Sequence, residues 1–180
     1  ERRWVYRMHR GRDLLRAELR ASWVIPFDGM AFVLVLYFGL IRFTPAAPGA
    51  SLLTFAVMFA WFEVWFYGTH RLMHTRRLFS VHRTHHKSRI TRVTSGLQFS
   101  LTEKFILTLG SVGFAAIVSW FMPITLPGLL AFFIFYYIES ITGHSNIEVV
   151  PRAVVQSKWG RMFASTTFHA MHHARLNGHY

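Results

Sequence analysis

Residues 52–74 read LLTFAVMFAWFEVWFYGTHRLMH, apolar but for Thr54, Glu63 and Thr69 until two histidines close the stretch at i and i+4. About Ala50 to Tyr67 approaches the ~20 residues that cross a bilayer, so the stretch predicts a membrane span whose helix continues into the histidine pair. The chain then adds three more histidines almost at once, in HRLMHTRRLFSVHRTHH (70–86). A third cluster, FHAMHH, lies far downstream at 168–173.

Working outward, three more apolar runs appear, at about 23–43, 103–122 and 124–143, the last two separated by a Pro/Gly-containing turn. Residues 1–20 carry seven Arg among Trp4, Val5, Leu14, Leu15 and Leu19. That pattern suits a basic amphipathic helix on a membrane surface. The composition agrees with an all-α integral membrane bundle of about four spans, with a histidine-rich helical cap. It is 52% hydrophobic with 18 Phe, above an ordinary soluble domain. At 180 residues the chain reads as a single domain, the core of a longer protein. With no Cys there is neither a disulfide nor a thiolate metal site.

The formal charge of +12 finds its reason in topology. If the first segment is cytoplasmic, four spans put residues 1–20, 70–102 and 144–180 on one side, with seven, seven and four Lys or Arg. Lys104 joins them at the mouth of the third span, and Arg42 alone falls on the far side. This asymmetry is the positive-inside rule, and it accounts for the basic charge without nucleic acid. It also places all three histidine clusters on the cytoplasmic face.

Residues at i, i+3 and i+4 share a helix face. His70 and His74 have that spacing, as do His82, His85 and His86, and again His169, His172 and His173. Neutral imidazole is the commonest protein metal ligand. Eight histidines on one membrane side exceed what one tetrahedral ion uses, so two ions fit better. His144, in ITGHSN after the fourth span, makes a ninth candidate ligand. A lone HxxxH is usually incidental, but three clusters together are costly to bury without partners.

A metal-bound imidazole normally passes its other N–H to a carboxylate or carbonyl. Glu63 and Tyr67 precede His70 and His74 on one helical face within about 40°. Both are candidates for that outer contact, as are Glu148, four residues after His144, and His179. Glu103 suits the first turn of the third span, and Glu139 a cavity wall or a pair with another span. His9 reads as an interfacial residue, and Asp28 sits near the cytoplasmic end of the first span.

HRLMH, HRTHH and HAMHH, read as HX3H, HX2HH and HX2HH, resemble the fatty acid hydroxylase/sterol desaturase superfamily of integral membrane di-iron enzymes. The resemblance runs from about Trp23 onward. It includes the seven residues between His74 and His82, the acid seven residues before His70, GHSN after the fourth span and NGHY at 177–180. The acid is Glu63 here, where the family commonly has Asp.

The resemblance implies two irons, with zinc a possible substitute in purified protein. O2 and external electrons would then hydroxylate or desaturate a lipid C–H bond of a sterol or fatty-acyl type of substrate. The chain carries no Gly-rich dinucleotide fingerprint. The implied electron donor is therefore separate, a cytochrome or ferredoxin with an NAD(P)H reductase. Arg76, Arg77, Arg83, Lys87 and Arg89 could dock such a carrier or hold anionic headgroups. The competing classes are a membrane zinc hydrolase, which lacks its HExxH here, and a non-catalytic metal-binding membrane protein.

Overall fold

The computed structural model describes residues 4–6, 12–158, 165–176 and 178. The described residues are mostly helical and contain no strand. Isolated bridges pair Trp4 with Ile147 and Phe43 with Ile124. The helices are α1 (Arg12–Ala21), α2 (Pro26–Tyr37), α3 (Pro48–Met73), α4 (Phe79–His82), α5 (Leu101–Thr108), α6 (Phe114–Val118), α7 (Leu126–Gly143), α8 (Arg152–Val155) and α9 (Thr166–Arg175). Four helical stretches are long and apolar enough to cross a membrane, namely Arg12–Tyr37, Pro48–Met73, Leu101–Val118 and Leu126–Gly143.

The chain divides into two compact units. One comprises residues 24–72 and 101–137. Its helices approach where side chains are small: a Cβ on Gly128 of α7 would stand 2.4 Å from the Ser51 carbonyl of α3. Close backbone approach through small residues is how helices pack in lipid, where no hydrophobic gradient drives them together. Thr125 and Thr54 complete this crossing, the Thr125 N–H donating to the Thr54 hydroxyl at 3.1 Å.

Between α5 and α6 the chain forms one π-helical turn, Leu109–Gly113. Such a turn leaves carbonyls without their usual i+4 partner, and two indoles from α3 serve carbonyls there. Trp65 donates to Ile106 at 3.0 Å and Trp61 to Gly110 at 2.8 Å. Asp28 of α2 is buried with Lys104 of α5, and it also accepts from the Thr108 hydroxyl and, at 2.8 Å, from the Tyr137 hydroxyl. Lys104, in the first turn of α5, is therefore the buried partner of Asp28. Large apolar side chains face outward from this unit, among them Tyr37, Leu52, Val64 and Phe121. A bundle dissolved in lipid is expected to look this way.

Helix bounds differ from the sequence expectation in two places. The first apolar run leaves helix after Tyr37, where Gly39 takes a left-handed φ of 62°. The next residues do not extend the helix: the Arg42 guanidinium lies over the Trp120 ring, and Thr44 donates to the Ile124 carbonyl. The N-terminal basic helix covers Arg12–Ala21, and its earlier part, with His9, lies outside the described residues apart from 4–6.

The other unit comprises residues up to Trp23, then 73–100 and 138 onward, and it holds eight histidines of the three clusters and the fourth-span end. Here α1 contributes Glu18, fully buried and hydrogen-bonded to the Ser88 and Thr94 hydroxyls.

Candidate metal centre

The second cluster does not lie on one continuous helix. His82 ends α4, a single turn, and His85 and His86 open a separate 3-10 turn, His85–Lys87. The third cluster does lie on a helix, α9, which begins with Ser165 accepting from the Phe168 N–H. Consecutive side chains on a helix diverge by about 100°, so each HH pair splits. His86 joins His74, His82 and His172, whereas His85 joins His144, His169 and His173. Within each set the ring nitrogens fall within 4.8 Å of one another. The sets adjoin, with the His86 and His173 ring centroids 4.4 Å apart.

Several of these rings have their outward nitrogen fixed by a main-chain carbonyl, His74 among them through Leu176. His85 Nδ1 lies 3.1 Å from the Gln98 carbonyl and His144 Nδ1 2.8 Å from that of Ser140. His172 Nδ1 is 2.9 Å from the Gly178 carbonyl, and His173 Nδ1 3.1 Å from that of Ser88. A carbonyl cannot donate, so each Nδ1 carries the hydrogen and each Nε2 presents a bare lone pair inward. Carbonyl-oriented imidazoles of this kind are the usual surroundings of a bound metal.

The inward nitrogens then meet in a way that suits a cation. His85 Nε2 faces His144 Nε2 at 3.2 Å and His173 Nε2 at 3.1 Å, lone pair against lone pair. His144 and His169 approach to 2.9 Å, His74 and His86 to 3.1 Å, and His172 and His86 to 3.2 Å. Protons do not supply the missing charge. Burial, then the neighbouring imidazoles, push His82 down to about 3, and burial, then His172, push His74 down to about 4. His144 is also pushed to about 4 by burial, and burial holds His85, His86, His169 and His173 well below the usual histidine range. These residues therefore fit metal ions.

His70 lies on α3, four residues before His74, buried in the other unit, with Phe66 packed edge-on at 5.2 Å. Glu63 and Tyr67 are exposed on the same helix, and the Tyr67 hydroxyl accepts from Arg71 at 2.8 Å. His179 lies outside the described residues. Glu148 does not touch His144. One of its oxygens accepts from the Val150 N–H at 2.9 Å, and the other from the Thr167 N–H at 2.9 Å, in the first turn of α9. Burial would raise it, but the hydrogen bonds from Thr167, Val150 and Ser165 prevail and hold it below its ordinary value. Glu148 thus anchors the helix that carries three of the histidines, in the position where the helix dipole favours an anion.

Sequence reasoning missed the carbonyls, which no side-chain pattern announces. It also missed Gly96, whose hydrogen leaves room for the His144 ring. A signal for the chain reversal after α9 did exist. Gly178, in the NG pair, takes a positive φ of 92° after Leu176 at 63°, and the turn brings the Gly178 carbonyl back to His172.

Comparison with curated proteins gives no match, and neither does comparison with solved structures. The family model described as fatty acid hydroxylase matches residues 55–180. That range holds every histidine of both sets and more than two thirds of the chain, so the protein belongs to the fatty acid hydroxylase family, within the fatty acid hydroxylase/sterol desaturase superfamily of membrane oxidoreductases.

Proposed function

We propose that the protein is a membrane-bound di-iron oxidoreductase that hydroxylates or desaturates a lipid C–H bond. The observation that carries this reading is the pair of adjoining histidine sets, with lone pairs opposed at 3.1–3.2 Å around His85. His74, His82, His86 and His172 would hold one ion, and His85, His144, His169 and His173 the other. His70 is assigned to the first ion on its spacing before His74 alone. Glu63, Tyr67 and His179 are retained as outer-contact candidates on the same sequence grounds.

Two irons held there supply reduction of O2 by external electrons and removal of hydrogen from an unactivated C–H bond. The chain's own residues do the rest. Main-chain carbonyls keep each fixed Nδ1 protonated, so each Nε2 stays a ligand. Phe99 stacks on His85 with centroids 5.1 Å apart, and Phe79 lies 5.8 Å from His74, so aromatic rings replace water beside both sets. Lipid substrate and metal meet because the apolar helix α3 ends within one residue of His74.

The 19-to-1 division of basic residues supports a cytoplasmic position for the histidines. Arg76, Arg77, Arg83, Lys87 and Arg89 are exposed, and no Asp or Glu occurs from 64 to 102. That acid-free strip suits the docking of a separate, acidic electron carrier of cytochrome or ferredoxin type, reduced from NAD(P)H. Elemental analysis of protein from iron-replete cells, joined to lipid product analysis with O2 and reductant, tests the proposal. Two irons per chain and an oxidised lipid, both lost in His85→Ala, are expected. Lipid oxidation retained by His85→Ala would overturn the assignment.

A further inference from the structure

Glu18 of α1 lies outside the family-matched range, yet it stands at the centre of a buried chain of hydrogen bonds leading to two of the histidines. Glu18 Oε1 accepts from the Ser88 hydroxyl at 2.6 Å, and its other oxygen accepts from the Thr94 hydroxyl at 2.5 Å. Ser88 Oγ also lies 3.1 Å from the Gln98 side-chain amide. Glu18, Ser88 and Gln98 are each at most 1% exposed. The main chains of these same two partners carry the carbonyls that fix His173, at Ser88, and His85, at Gln98. Their side chains and their carbonyls thus serve different masters, Glu18 on one side and the second histidine set on the other.

A second contact from the N-terminal segment reaches the third ligand of that set. Tyr6 and Asn146 exchange two hydrogen bonds, Tyr6 N–H to Asn146 Oδ1 at 3.0 Å and Asn146 Nδ2 to the Tyr6 carbonyl at 2.8 Å. Val5 adds a third, to the Asn146 carbonyl at 3.0 Å. Asn146 is fully buried, holds a left-handed φ of 58°, and lies two residues after His144. The sequence before the apolar spans therefore grips the loop behind His85 and His173 and the turn behind His144.

We propose that Glu18 is a positioning residue for the second metal site, acting through Ser88 and Gln98 on the carbonyls that orient His173 and His85. An unpaired buried hydroxyl or amide is costly enough to shift a loop. Without Glu18, Ser88 and Thr94 must turn elsewhere, and the 88–98 loop that holds both carbonyls loses its anchor. The ion-facing nitrogens lose their aim while every ligand remains present. The proposal rests on the reading that the two histidine sets bind metal.

The test is metal retention in the full chain, read without reference to turnover. Iron-loaded wild type, Glu18→Ala, Glu18→Gln, Ser88→Ala and Thr94→Val are challenged with a chelator, and the loss of each ion is timed. Cobalt(II)-loaded samples give the visible spectrum of the ligand field. We expect Glu18→Ala and Ser88→Ala each to release one ion roughly 10-fold faster, the scale seen when outer contacts of a metal ligand are removed. The two changes should not add in the double variant, because both cut one path. Glu18→Gln, which keeps an acceptor, should recover most of the retention. Thr94→Val should release metal less readily than Glu18→Ala, because the carbonyls that orient His85 and His173 belong to Gln98 and Ser88. Altered cobalt bands in Glu18→Ala, at unchanged melting temperature, would mark positioning rather than bulk stability. Wild-type release rates and bands in Glu18→Ala would overturn the proposal, as would a full loss in Thr94→Val with none in Ser88→Ala. Should Glu18→Ala fail to fold, Ser88→Ala and Glu18→Gln decide it alone. A wild-type protein that binds no metal would instead refute the metal centre itself.

Discussion

Replacing Gly96 with Ala should expel the second ion and leave the first. An ideal Cβ at this position would lie 3.0 Å from His144 Nδ1, 3.1 Å from its Cγ and 3.2 Å from the Ser140 carbonyl. Carbon contacts are comfortable at about 3.5–4.0 Å, so the ring has to retreat by roughly 0.5 Å. It has little freedom to do so. Nδ1 is bonded to Ser140 at 2.8 Å, and Nε2 is set 2.9 Å from His169 and 3.2 Å from His85. Overpacking of this kind costs about 1–3 kcal/mol. Borne by the bound state, that is roughly 5- to 150-fold in affinity for the second ion. The backbone is not the obstacle, because Gly96 is not among the residues of positive φ. Alanine even recovers about 0.4–1 kcal/mol by restricting the unfolded chain. The fold should therefore survive, with metal per chain falling from two to one after mild chelation. Two ions held as firmly as in wild type, at an unchanged melting temperature, would refute the steric argument and the place of His144 in the site.

Three further outcomes follow from other parts of the molecule. Lys104→Met leaves Asp28 as an uncompensated buried charge and should cost about 3–5 kcal/mol, most of it restored by adding Asp28→Asn, as measured by unfolding in detergent. Glu148→Ala removes the acceptor of the Thr167 N–H at the start of α9 and should cost about 1 kcal/mol. Because α9 serves both sets, it should hasten the loss of both ions in a chelation assay, where an effect on one alone would contradict the assignment of His169, His172 and His173. In metal-free protein, His82 and His144 keep folded values of about 3 and about 4, whereas the unfolded chain takes up protons near 6.5. The unfolded state then binds more protons below that pH. Stability should be complete above about pH 6.5 and fall toward pH 4, by up to about 1.4 kcal/mol per pH unit for each group. A melting temperature flat from pH 7 to 5 would disprove this.

The four apolar helices and the histidine clusters were legible because each is a local pattern. Span length needs about twenty apolar residues, and ligand spacing needs only the pitch of a helix. What escaped was set by contacts between distant segments. The HX2HH spacing at 82–86 matches a helix face, yet His85 and His86, like His172 and His173 on α9, go to different sets. The pairing of Lys104 was not legible, because nothing in α5 reveals that Asp28 of α2 reaches it. Glu148 was recognised as an acid near His144, but its work is at the start of α9, nineteen residues from Thr167 in sequence. Glu18 carried no signal at all. An acid among arginines reads as part of a solvated face until its two hydroxyl partners are seen.

The carbonyls behind the histidines bear on how such a site can change over generations. A carboxylate in that place could be deleted by one codon. The oxygens of Gln98, Ser140, Gly178 and Ser88 belong to every amino acid that could replace those residues, so no point substitution removes them outright. What can drift is the path of the chain, through an inserted residue in 88–98 or a lost turn near 176–178. Homologous sites should therefore tolerate change of residue type at Ser140 more readily than change in loop length, whereas the positive φ of Gly178 and the side-chain contacts of Ser88 and Gln98 restrict those three positions.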